Sequence, residues 1–110
     1  MNIKINAGGH DLALNFSVNY FYKFFKEGAG FDLFTAKDQT IDVTKVVEFA
    51  FGLLYGGYMA ECKINKEKPV LSKEQLEEIV WSMTPEESSK IITVYNNSVL
   101  PGEDQALPTL

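Results

Sequence analysis

The sequence predicts a small α+β domain in which an N-terminal β-hairpin precedes about four helices. Apolar and polar residues alternate over residues 2–6 and 11–16, which is the period of half-buried strands. After that point the apolar residues recur at the spacing of helices. The predicted helices are 18–27, 42–62, 73–83 and 85–97.

A chain of 110 residues is expected to form one domain. At this size a domain buries roughly 65% of the surface that its unfolded chain exposes, which is enough for a real core. We assign that domain to residues 1–97. Residues 98–110 contain two prolines and a glycine without apolar periodicity, and they are predicted to form a flexible tail.

The predicted hairpin turns at Ala7-Gly8-Gly9-His10. Paired glycines supply the positive φ angles that a tight hairpin turn requires. A two-stranded sheet is only marginally stable alone. The hairpin is therefore expected either to pack on the helices or to extend a sheet contributed by another copy.

The first predicted helix carries aromatic residues on two opposite faces. Either Ser17 or Asn15 is expected to cap it, and glycines at 28 and 30 are expected to end it. Tyr20 and Phe24 point away from the face that we assign to the core. That core face comprises Val18, Phe21, Tyr22 and Phe25. The second face is then covered either by the long loop that follows or by a partner.

The run 43–62 is apolar on nearly every side, so the rest of the chain is expected to pack around it. Glu48 and Glu61 bound an uncharged stretch of 12 residues. A bilayer span needs about 20, so we do not expect this helix to cross a membrane.

Small residues recur every four positions in the same helix, at Gly52, Gly56 and Ala60. Such spacing leaves a shallow groove in which another backbone can approach closely. We include these three residues in a candidate partner-binding set. The pair Gly56-Gly57 marks a kink, a close crossing or an early helix end, and we favour the crossing.

Two capping boxes predict where the last two helices begin. Ser72 with Gln75 introduces the third helix, and Thr84 with Glu87 introduces the fourth. Trp81 lies off the apolar face of the third helix. It either packs at the helix edge or anchors a partner, and with Tyr20 and Phe24 it completes the candidate set.

The charge and the reactive residues exclude several classes of function. A net charge of -5 and scattered lysines argue against nucleic-acid binding. The single histidine, His10, lies in a predicted turn, and the single cysteine, Cys62, is expected to be a small buried residue. No metal-ligand spacing or phosphate loop is present, so we expect no cofactor and no enzymatic activity. Without a signal segment at Met1, a cytoplasmic protein is expected.

The order of these elements resembles that of the tail assembly chaperones of long-tailed phages and prophages. The resemblance lies in the strand Met1–Asn6, a tight turn, the strand Leu12–Phe16, an aromatic-rich helix, an apolar central helix and a capped helix pair. It spans residues 1–97. In the turn, where such proteins often have a glycine flanked by charges, this chain has Ala7-Gly8-Gly9-His10.

The resemblance implies a non-enzymatic protein that coats the tape-measure protein during tail assembly and helps to recruit tail-tube subunits. It also implies self-association, hence a homo-oligomer, in the host cytoplasm. Aromatic residues form 13% of the chain, which is more contact surface than a small monomer needs. Two alternatives stay open, a structural tail or connector subunit and a small regulatory protein of a mobile element.

Overall fold

The computed structural model describes residues 3–30 and 43–99. Within these ranges it contains a two-stranded antiparallel hairpin followed by four helices, which confirms the predicted α+β fold. The elements are β1 (Ile3–Ala7), β2 (His10–Leu14), α1 (Asn19–Ala29), α2 (Val43–Ile64), α3 (Lys73–Trp81) and α4 (Pro85–Val99). The predicted loop over residues 31–42 lies outside the described residues.

The hairpin has a shorter turn than the sequence pattern predicted. Ala7 pairs with His10, so only Gly8 and Gly9 form the loop. Their φ angles are +59° and +82°, the pair of positive values that defines a type I′ turn. The second strand ends at Leu14, two residues earlier than predicted, because the chain turns there toward α2.

Helix α1 begins and ends at other residues than predicted. Its N-cap is Val18, which makes no side-chain cap, whereas the Oδ1 atom of Asn15 accepts hydrogen bonds from the backbone and hydroxyl of Ser17. The helix continues through Gly28 and ends at Gly30, whose φ is +82°. Gly28 lies inside the helix, where an added Cβ would come within 2.9 Å of the Tyr55 ring.

The core face of α1 was predicted correctly at its centre and wrongly at one edge. Phe21 and Phe25 are fully buried, and Val18 is half-buried. Tyr22 remains 38% exposed, with its ring edge-on to Phe21. The buried position on that side of the helix is instead Ala29, one turn after Phe25.

Helix α2 is the central element, since α1, α3, α4 and β2 all pack on it. It crosses α1 in an antiparallel direction. A Cβ on Gly52 would lie 2.7 Å from the Cβ of Ala29, and one on Gly56 would lie 3.0 Å from the backbone nitrogen of Phe25. The close crossing predicted at Gly56 is therefore present, and the helix runs through it to Ile64.

That crossing corrects the prediction that the small-residue groove receives a partner. The surface beside Gly52 and Gly56 is occupied by α1 of the same chain, and Ala60 is fully buried. A groove already filled by the protein's own helix offers no surface to a second chain.

The end of the hairpin is fastened to the middle of α2. The backbone N–H of Asn15 donates to the carbonyl oxygen of Gly57 at 3.0 Å. A Cβ on Gly57 would meet Leu14 at 2.8 Å and Phe16 at 2.9 Å. The missing side chain at Gly57 therefore lets β2 lie directly on the helix.

Both predicted capping boxes are confirmed. Ser72 Oγ accepts from the N–H of Gln75 at 3.1 Å, and the Gln75 side chain accepts from the N–H of Ser72 at 2.8 Å. Thr84 and Glu87 form the same reciprocal pair at 3.2 Å and 3.0 Å. Helix α3 ends two residues before the predicted end.

Helix α4 continues two residues beyond its predicted end, to Val99. The first two residues of the predicted flexible tail, 98–110, therefore belong to this helix. The rest of that prediction, residues 100–110, lies outside the described residues.

Candidate partner-binding surface

Five large apolar side chains remain exposed in the described part of the chain. They are Tyr20 at 40%, Tyr22 at 38%, Ile64 at 45%, Val70 at 87% and Trp81 at 51%. The two tyrosines lie on α1, Ile64 ends α2, Val70 lies in the loop before α3, and Trp81 ends α3. The exposed apolar surface thus involves three helices and a loop.

Three aromatic rings form a continuous row along the edge between α1 and α2, which we call the aromatic ridge. Tyr20 stacks on Phe24 with ring centroids 6.4 Å apart, and Phe24 meets Tyr55 edge-on at 6.2 Å. The ridge runs from exposed Tyr20 through half-buried Phe24 to buried Tyr55. The sequence prediction that Tyr20 and Phe24 share a face is confirmed.

Lysine ammonium groups lie over each ring of the aromatic ridge. The Nζ atoms of Lys63, Lys23 and Lys73 are 5.7 Å, 5.7 Å and 5.8 Å from the ring centroids of Tyr20, Phe24 and Tyr55, respectively. These distances are within the range of cation–π attraction. Lys73 Nζ also donates to the carbonyl oxygen of Glu27 at 3.2 Å. The ridge therefore combines apolar ring surface with positive charge, although the whole chain is acidic.

Burial at the inner end of the aromatic ridge changes the chemistry of Tyr55. The pKa of its phenol is raised, first by burial and second by the negative charge of Glu27. The Tyr55 hydroxyl therefore stays protonated at neutral pH.

Trp81 is separate from the aromatic ridge. In residues 3–30 and 43–99, no ring contact or hydrogen bond links it to Tyr20, Phe24 or Tyr55. Its 51% exposure leaves a large indole surface at the C-terminal end of α3. Of the six predicted partner-binding residues, Tyr20 and Phe24 are in contact with each other and Trp81 lies apart from them. The three small residues, Gly52, Gly56 and Ala60, are buried.

The loop that presents Val70 is held by a tyrosine hydroxyl. Tyr58 Oη accepts from the backbone N–H of Val70 at 2.7 Å and from that of Leu71 at 3.2 Å. The Val70 backbone is therefore held in place, although the residue is 87% exposed to solvent.

Cys62 is half-buried, whereas the sequence predicted a buried residue. Burial raises the pKa of its thiol, and the charges of Glu67 and Glu61 raise it further, against a lowering by a hydrogen bond to Tyr58. The thiol is therefore protonated at neutral pH, and the thiolate is the reactive form of cysteine.

His10 lies beside an open cleft of about 360 Å³ between the hairpin turn and α3. The same cleft is lined by Glu78, Gln75 and Ser82. Across the described ranges no hydrogen bond or ion pair joins His10 to Glu78, and no group of three or more His, Cys, Asp or Glu side chains is arranged to hold a metal ion.

The three lysines on the aromatic ridge and the exposure of Ile64 and Val70 were not predicted from the sequence. Lys63 is more than forty positions from Tyr20 in the chain, so no local pattern links them. A signal existed for Val70, which follows Pro69 in a polar loop and precedes the buried Leu71.

Comparisons of this chain with protein-family models, curated proteins and solved structures gave no match. Of the helices within residues 3–30 and 43–99, none is both long and apolar enough to span a bilayer.

Proposed function

We propose that this protein is a tail assembly chaperone of a long-tailed phage or prophage. It binds the tape-measure protein in the host cytoplasm and helps to recruit tail-tube subunits. The observation that carries the proposal is the aromatic ridge, a row of rings with lysines over it that remains exposed at Tyr20. Exposed apolar patches rimmed by polar groups are typical of protein-binding sites.

The ridge has the chemistry to hold a helical client. An amphipathic helix binds by laying apolar side chains spaced three and four apart against an apolar surface. Tyr20 and Phe24 have that same spacing on α1 and offer two stacked rings. Lys23 and Lys63 beside the rings supply positive charge for acidic residues that flank the apolar face of the client.

Trp81 supplies a second contact at a distance from the ridge. Tryptophan and tyrosine are enriched among the residues that carry most binding energy. Two separated apolar contacts on one small domain suit a long client chain, because each copy then holds more than one turn of it. The chain's net charge of -5 keeps such a protein soluble while its apolar surface is open.

The test is co-expression with the tape-measure protein encoded in the same genome, followed by affinity purification through the tagged chaperone. Tyr20→Ser and Trp81→Ser are each expected to weaken retention of the client by about tenfold or more, the loss typical of a central aromatic anchor. Val70→Ser is the matched control, since it removes an even more exposed apolar side chain outside both contacts. Failure of the intact protein to retain the client contradicts the proposal.

A second candidate function is favoured by the hairpin. Each strand of this two-stranded sheet has one outer edge without a strand partner among the described residues, and open edges can join subunits into rings. A structural tail or connector subunit built in this way stays in the finished particle, whereas a chaperone does not. Mass spectrometry of purified virions distinguishes the two, and the chaperone proposal predicts that the protein is absent.

A further inference from the structure

We infer that the outer edge of β1 pairs with the same strand of a second copy, so that two hairpins form one continuous four-stranded antiparallel sheet. This inference goes beyond the proposed function, since it concerns a contact between two copies of this chain and names the surface and the strand register. It does not depend on which client the protein binds.

The type I′ turn determines which backbone groups of β1 face outward. In a two-residue hairpin the pair that flanks the turn, Ala7 and His10, exchanges hydrogen bonds, and such pairs alternate with pairs that do not. Ile5–Leu12 and Ile3–Leu14 are therefore bonded pairs, given the observed register. The backbone N–H and C=O groups of Lys4 and Asn6 then point away from β2.

The outward direction of these groups is supported by an observed contact on the other strand. By the same alternation the N–H of Asn15 points outward from β2, and it donates to Gly57 of α2. The edge of β2 is thus closed at Asn15 by a helix. For Lys4 and Asn6, no backbone hydrogen bond to another described element is present.

An open cleft lies beside β1. A cleft of about 290 Å³ separates β1 and its turn from α4. Its lining includes Ile5 and Ala7 on one side and Ile91 and Val94 on the other, and it includes no residue of β2. The cleft therefore borders the outer edge of β1, and its walls are partly apolar.

In one antiparallel register, the outward backbone groups of Lys4 and Asn6 all form hydrogen bonds, and no like charges lie opposite each other. If Lys4 faces the partner's Asn6 and Asn6 faces the partner's Lys4, each of these two pairs exchanges two backbone hydrogen bonds. A register that places Lys4 opposite the partner's Lys4 is disfavoured by repulsion. In the favoured register Ile5 faces the partner's Ile5, on the side of the sheet that borders the cleft. Both half-buried isoleucines then lose exposed surface.

Charge complementarity favours a second copy as the occupant. Asn6 donates through its side chain to Asp11 at 3.0 Å, and these residues are paired across the hairpin. Lys4 would therefore share a row with the partner's Asn6 and the partner's Asp11. Two strand spacings are about 10 Å between backbones, and the four-carbon stem of Lys4 can bring its ammonium group closer than that to the partner's carboxylate. The two-fold symmetry produces this attraction twice in each dimer.

A charge-reversal experiment tests this pairing in solution. Wild-type protein is expected to dimerise in sedimentation equilibrium. The dimer has two equivalent rows, each with Lys4 of one copy and Asp11 of the other. Lys4→Glu alone or Asp11→Lys alone places like charges in both rows, and each variant is expected to weaken dimerisation by about tenfold. An equimolar mixture of the two variants restores both attractions, so native mass spectrometry should show mainly the heterodimer. A wild-type monomer at high micromolar concentration, or a mixture with no preference for the heterodimer, overturns the inference.

A cross-linking experiment tests the register separately, in a Cys62→Ala background. Ile5→Cys places two cysteines in a non-bonded pair whose Cα atoms are about 4.5 Å apart, a distance that a disulfide can bridge. Lys4→Cys is the control, since the two cysteines then lie on a diagonal of about 7–8 Å and do not cross-link. Cross-linking at position 4 instead of position 5 overturns the register. Client retention is scored on the same variants and is expected to stay unchanged.

Discussion

The backbone N–H of Asn15 donates to the carbonyl oxygen of Gly57 at 3.0 Å, which joins the end of the hairpin to the central helix. Asn15 is itself 4% exposed. Its side chain accepts two hydrogen bonds from Ser17 and donates to Glu61 at 3.3 Å. A single buried residue thus connects β2, the start of α1 and the C-terminal half of α2.

Asn15→Ala is expected to lower the free energy of unfolding by about 1–3 kcal/mol, because it removes the acceptor of two part-buried hydrogen bonds from Ser17 and the donor to Glu61. Asn65→Ala is the matched control, because Asn65 also donates to Glu61, at 2.8 Å, but at an exposed site. Urea unfolding measures both. An Asn15→Ala protein as stable as the control contradicts a central role for this junction.

Gly52→Ala and Gly56→Ala are each expected to destabilise the fold by about 1–3 kcal/mol. Helix propensity alone predicts the opposite sign, because alanine is better than glycine in a helix by about 1 kcal/mol. The added methyl group would however meet Ala29 Cβ at 2.7 Å or Phe25 N at 3.0 Å, atoms that move only with the α1 backbone. Thermal unfolding measures the change.

The control for the glycine variants is Thr93→Ala, an exposed position in α4 where the gain in helix propensity meets no packing conflict. It is expected to be neutral or slightly stabilising. Stabilisation by the glycine variants as well would show that the two helices are not in close contact at these positions.

Tyr58→Phe is expected to loosen the loop before α3. The variant removes the hydroxyl that accepts from Val70 and Leu71 and leaves both N–H groups without that acceptor. The cost is about 1–3 kcal/mol in overall stability. Hydrogen exchange should be faster at these two amides than in wild type, whereas Tyr20→Phe, on the exposed ridge, should leave them unchanged. Equal protection in Tyr58→Phe and wild type would contradict this role of the hydroxyl.

Stability is expected to fall at alkaline pH through Tyr95. Burial, with a smaller contribution from Tyr22, raises the pKa of the Tyr95 phenol above its ordinary value of 10.0. The folded protein therefore holds this proton more tightly than the unfolded chain. The resulting stability is complete below about pH 10 and is lost as the pH rises further.

Urea unfolding from neutral pH to about pH 11 measures this loss, and Tyr95→Phe should show a shallower fall than wild type. The comparison uses the slope with pH, so a constant cost of removing the hydroxyl does not affect it. Identical slopes in the two proteins would contradict the role of Tyr95.

Local chemistry allowed the sequence alone to predict the hairpin and the starts of the last two helices. Gly8 and Gly9 can adopt positive φ wherever they occur, and the capping boxes at Ser72 and Thr84 involve only residues within one helical turn. The surplus of aromatic residues was also visible, as was the shared face of Tyr20 and Phe24. These features depend on short-range geometry, which the order of residues determines.

Tertiary structure decided what the small and aromatic residues contact. The groove at Gly52 and Gly56 is compatible with any close helix, and only the path of the chain shows that α1 fills it. In the same way, packing against Tyr55 keeps Gly28 inside α1, and the position of α2 places Lys63 over Tyr20. Sequence determines which surfaces must be buried or can approach closely. The partners of those surfaces depend on long-range packing, which residue periodicity does not encode.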